Sequence, residues 1–85
     1  MIDEYRQQIT AADRVLLAAV NQRLELVREL HEHKTTEGVP LRDPAREETL
    51  VRELQAENTG PLSDDGVAAL FHYVLELTRK ELHGA

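Results

Sequence analysis

The chain contains no cysteine and no tryptophan, and its aromatic residues are one phenylalanine and two tyrosines. Without thiols it makes no disulfide, and nothing in it signals an oxidising compartment. Basic residues are also in short supply. Lysine and arginine number 10 against 16 aspartates and glutamates, for a formal net charge of -6. That balance argues against broad binding to the phosphate backbone of nucleic acid. No apolar run approaches the ~20 residues of a membrane span. Met1-Ile2-Asp3-Glu4 lacks the basic and apolar regions of a signal peptide, so a cytoplasmic location is the expectation. No Gly-rich phosphate loop, no basic patch and no Ser/His/Asp or Cys/His set occurs.

Glycine and proline are scarce too, at four and three, and their positions divide the chain. From about Ile2 to Glu37 there is neither. Apolar or small residues recur there at Ile2, Tyr5, Ile9, Ala12, Leu16, Val20, Leu24, Val27 and Leu30, which is a helical period. Gly38 and Pro40 then stop it. Asp43-Pro44 opens a second, short helix, with Asp as N-cap and Pro in the first turn. Glu47, Leu50, Val51 and Leu54 share one face, and the turn cluster Asn58-Thr59-Gly60-Pro61 ends it. Ser63 caps a third, medium helix, where Asp64 and Asp65 suit the helix dipole. Its stripe is Val67, Leu70, Phe71, Val74, Leu75, Thr78 and Leu82. The sequence predicts an all-α fold of three helices (long, short, medium) in a single domain over residues 1–85.

Chains below ~80 residues often need a disulfide, a metal or a partner chain. A first helix of some 35 residues is ~53 Å long, whereas a compact domain of this size has a radius of gyration near ~12 Å. Two shorter helices cover only part of it. An intertwined homodimer, with two long helices packed together, is the expected remedy.

Several polar residues stand where apolar ones are expected. Arg23, Val27, Leu30 and Lys34 lie within about ±40° of each other on the first helix. A cation at a core edge ordinarily snorkels to water, but two on one stripe each need compensation for desolvation. Glu47 opens the apolar stripe of the second helix, flanked by Asp43 and Arg46. An acid at that end is ordinary helix-dipole decoration. Thr78 interrupts the third stripe; the simple account is a hydroxyl bonded back to a carbonyl. Arg6 and Asp13 share a side of helix one, Asp13 reading as a structural partner. Arg6, Arg23, Lys34, Asp43, Arg46, Glu47 and Thr78 together form a cation-rich candidate set suited to a small dianion, since arginine forks match carboxylates. An acid in the set would accept from a hydroxyl or ammonium on the same ligand. His31 and His33, two apart, face different directions on a helix, and His72 and His83 lack partners, so no metal site is expected.

The ordered segments resemble the all-helical (AroQ-type, type II) chorismate mutases. They are Arg6-Gln7-Gln8-Ile9 with Asp13, Asn21-Gln22-Arg23-Leu24-Glu25-Leu26-Val27, Lys34, and Val39-Pro40-Leu41-Arg42-Asp43-Pro44-Ala45-Arg46-Glu47. Glu57-Asn58-Thr59-Gly60-Pro61-Leu62 and Leu70-Phe71 extend the likeness to nearly the whole chain. The resemblance implies an intertwined three-helix homodimer that rearranges chorismate to prephenate without metal or cofactor. It implies that Arg23 and Arg46 bind substrate carboxylates, with Arg6 reaching in from the other protomer. Lys34 would donate to the ether oxygen, Glu47 and Asp43 would hold the ring hydroxyl, and Thr78 would replace a serine contacting a carboxylate.

One position departs from the pattern. The family often places Gln or Glu one turn after Thr78, where this chain has Leu82, with Glu81 beside it. Arg79, where an aliphatic might be expected, is a candidate to reach the pocket. Isochorismate pyruvate-lyases and aminodeoxychorismate mutases share the fold and remain alternatives. The lyases tend to lack the carboxylate that Glu47 supplies. A non-catalytic helical dimer that binds a shikimate-pathway enzyme is the alternative from another class.

Overall fold

The computed structural model describes the backbone of residues 1–37 and 43–83, and the side chains of 1–33 and 43–82. It contains three helices, α1 (Ile2–Glu37), α2 (Pro44–Glu57) and α3 (Asp64–His83), and no strand among the described residues. The all-α expectation holds, as do the starts of all three helices and the ends of the first two.

Local chemistry accounts for each start and stop. Asp3 and Glu4 sit in the first turn of α1, where they meet the positive end of the helix dipole. Asp43 caps α2: its side chain accepts from the Arg46 backbone N–H at 3.1 Å, satisfying a donor with no partner inside the helix. Pro44 occupies the first turn, where its missing N–H costs nothing. The turn after α2 is tied by Asn58, whose side chain accepts from the Gly60 N–H at 3.1 Å and donates to the Leu62 carbonyl at 2.6 Å. Gly60 has φ +84°, a conformation that a Cβ would strain. Ser63 then caps α3 by accepting from the Gly66 N–H at 2.9 Å.

Helix α3 is the central element. It packs against α2 on one side and α1 on another, and the described parts of α1 and α2 do not pack on each other. Among the described residues the buried core is small: Val51, Val67, Leu75 and one polar residue, Thr78. No side chain is wholly enclosed among the described residues.

The 36-residue α1 extends beyond that core. The molecule measures 55 × 26 × 18 Å with a radius of gyration of 15.7 Å, against about 12 Å for a compact globule of this length. Every residue from 1 to 19 is exposed. Val15 is 70% exposed, Leu16 54% and Leu17 63%, and the run Val15-Leu16-Leu17-Ala18-Ala19-Val20 is apolar around the full circumference of the helix. Each large apolar side chain left in water forfeits roughly 1.5–3 kcal/mol of burial. With Ile2, Tyr5 and Ile9 also exposed, the loss is on the order of 10 kcal/mol, the size of a whole domain's stability. No described helix is long and apolar enough to cross a membrane.

Candidate active site

Besides the bond from the Gln55 side chain on α2 to the Asp64 carbonyl at the start of α3, at 2.9 Å, two side-chain links between helices involve residues singled out in the sequence. The first joins α1 to α3. Arg23 Nη1 donates to Thr78 Oγ1 at 2.7 Å, and Thr78 Oγ1 donates to the Val74 carbonyl at 2.7 Å. Thr78 is only 7% exposed and Arg23 is half-buried. The hydroxyl does bond back one turn, as an interior threonine ordinarily does. Its lone pairs then remain free to accept, and Arg23 fills one. A hydroxyl carries one proton, and here that proton goes to Val74. Thr78 thus spends its proton on α3 and holds the Arg23 guanidinium with its oxygen. The bond uses one of the five N–H donors of Arg23.

The second link joins α2 to α3. Arg79 Nη1 lies 3.3 Å from Glu47 Oε1 and 3.4 Å from Oε2. The two side chains are 37% and 25% exposed, so the pair is partly shielded from solvent. It borders a groove between the first turn of α2 and the middle of α3, lined also by Pro44, His72 and the buried Leu75.

Asp43 is committed through its side chain to capping α2, which sets the helix start that carries Arg46 and Glu47. Arg46 is exposed on that first turn. Its neighbour Glu47 turns to α3, so one turn presents a cation and an acid in different directions.

The residues matching the chorismate mutase type II family model run from 5 to 82. This chain belongs to that family. The three-helix backbone is similar to two solved forms of chorismate mutase from Thermus thermophilus. Form I superposes with a TM-score of 0.88 at 32% identity, over 91% of this chain and 96% of that one. Form II gives 0.87 at 32%, over 91% and 88%. No curated protein matches the chain.

For a type II chorismate mutase fold, the remaining candidates are spread along α1. Arg6 lies in a shallow surface groove with Asp3, Gln7, Thr10 and Arg14. Arg6 and Arg23 are about 26 Å apart along the helix axis. One chain therefore does not bring Arg6 to Arg23. Lys34 belongs to the last turns of α1, about 16 Å along the axis from Arg23, and its side chain lies outside the described residues. Leu82 is half-buried and lines a groove against Leu24, Arg28 and Glu81. Helix α3 is continuous through this point, so no change of register substitutes Glu81 for Leu82. Arg28 pairs on the surface with Glu25 at 2.6 Å; that hydrogen bond, then the charge of Glu25, raise its pKa.

Among the described residues no cluster of three His, Cys, Asp or Glu side chains is placed to hold a metal. The sequence reading missed the Arg23–Thr78 bond. Its signal was present: a donor and an acceptor each stood on the apolar stripe of a different helix.

Proposed function

We propose that the chain converts chorismate to prephenate at a site built by two copies of itself. The observation that carries this is the Arg23–Thr78 link. A guanidinium is brought in from solvent, fixed by a buried hydroxyl at 2.7 Å, and left with donors to spare. Such a group matches a carboxylate bidentately.

The rearrangement is intramolecular. An ether C–O bond breaks as a C–C bond forms, and no proton, nucleophile or electron is exchanged with the protein. Two things accelerate such a step: holding the substrate folded with its ends in contact, and stabilising the charge that grows on the ether oxygen. Arg23 and Arg46 would clamp the two carboxylates. Lys34 would donate to the ether oxygen, with more effect on the transition state than on the bound substrate. Glu47, at the start of α2 set by the Asp43 cap, would accept from the ring hydroxyl. Thr78 would act through Arg23.

Arg6 completes the site from the partner. The bare apolar circumference of α1 favours a second copy, because a helix apolar all round is stable only when surrounded. Antiparallel pairing of two α1 helices would carry each Arg6 towards the other chain's Arg23. One domain over 1–85 and a cytoplasmic setting accord with this reading.

Incubating purified protein with chorismate in the presence of a chelator tests the proposal. Loss of chorismate with formation of prephenate is the expected result; an inert, folded dimer would overturn it. Leu82 favours a second reading, a regulatory helical dimer acting on a pathway enzyme. Activity that rises only when such an enzyme is added would support that instead.

A further inference from the structure

The Glu47–Arg79 pair has a geometry that bears on which substrate the site takes. A single nitrogen, Nη1 of Arg79, sits 3.3 and 3.4 Å from the two carboxylate oxygens. This is one donor shared across both oxygens, not the two-pronged fork that saturates a carboxylate. A carboxylate has about four lone-pair sites. Arg79 therefore offsets the charge of Glu47 while leaving acceptor positions open. The surrounding groove is rich in acids, for Glu48 and Glu76 also line it, together with His72.

Without Arg79, three carboxylates and one histidine would border this groove, a balance that favours an ammonium ion. With it, the local charge falls while the acceptor remains. We propose that Arg79 is a positioning and specificity residue: it holds the Glu47 carboxylate between α2 and α3 and biases it towards a neutral hydroxyl over an ammonium group at the same place on the ligand. This rests on the chorismate mutase reading above and names the substrate feature that Glu47 selects. Specificity of this kind is a difference between two affinities, and a cation set beside the acceptor penalises the charged competitor. The same salt bridge also joins α2 to α3, and a purely structural role would weaken both substrates alike.

The test measures kcat/KM for chorismate and for aminodeoxychorismate, which carries an amino group in place of the ring hydroxyl, with the wild type, Arg79→Leu and Arg79→Lys. A thermal melt of each variant accompanies the kinetics. The expected result is that Arg79→Leu shifts the ratio of kcat/KM values by at least about fivefold towards the amino substrate, while Arg79→Lys keeps the wild-type ratio. If the leucine variant does not fold, Arg79→Gln, which retains a polar stem, replaces it. An unchanged ratio, or parallel losses on both substrates, overturns the role of Arg79 and leaves the mutase reading intact. A wild type inert towards both substrates overturns the mutase reading, and this inference with it.

Discussion

Arg23 on α1 and Thr78 on α3, 55 positions apart, are joined by a 2.7 Å hydrogen bond at the edge of the core. The bond ties the orientation of the Arg23 guanidinium, the proposed carboxylate binder, to the packing of two helices. Removing the hydroxyl leaves a half-buried guanidinium donor unpaired, which costs about 1–3 kcal/mol. Thr78→Val should lower the melting temperature and reduce kcat/KM by roughly tenfold or more, whereas Thr78→Ser should keep most of the activity. Steady-state kinetics and a thermal melt on the same preparations check this. Full activity in Thr78→Val would sever the proposed link.

Lys34 is assigned to the ether oxygen, where negative charge appears only as the bond breaks. Lys34→Ala should therefore lower kcat by about a hundredfold or more, with a smaller change in KM. A variant whose KM rises while kcat holds would place Lys34 in substrate binding instead.

Leu82 stands where a polar contact to the ether oxygen is common in the family. Leu82→Gln should raise kcat by up to about tenfold, since a second donor aimed at growing charge aids the transition state. A lower kcat with an unchanged melting temperature would mean that this position is turned away from the reacting atoms.

The bare mid-section of α1 leads to a prediction about assembly. Leu16→Glu places a charge on a helix surface that is apolar on all sides. It should abolish the dimer and unfold most of the chain, because the buried core among the described residues of one copy is three aliphatic side chains and a threonine. Sedimentation and circular dichroism over a concentration series read this directly. A folded, active monomer would refute the shared site.

Much of this fold was legible in the sequence because its punctuation is sparse and strong. Thirty-six residues without Gly or Pro make α1, Asp43-Pro44 starts α2, and Ser63 starts α3; each signal is local and chemical. The length of α1 also led to the expectation of a second chain, which the exposed apolar residues of α1 support. The polar residues on each stripe were legible, but which of them pair across helices was not. Arg23 to Thr78 and Arg79 to Glu47 depend on which faces of α3 meet α1 and α2, and helix periodicity gives the face of each helix but not its partner. Thr78 shows the limit well. Its hydroxyl was read as either a back-bonded core group or a ligand contact, and the structure shows it back-bonded while also holding Arg23.

The central claim is that each site takes Arg6 from one copy and Arg23 from the other. Arg6→Ala and Arg23→Ala should each be nearly inactive alone. Mixed in equal amounts and allowed to exchange, they form heterodimers with one intact site in two, so activity should recover to about a quarter of the wild-type value. Exchange confirmed by mass spectrometry with no recovery of activity would contradict the shared site.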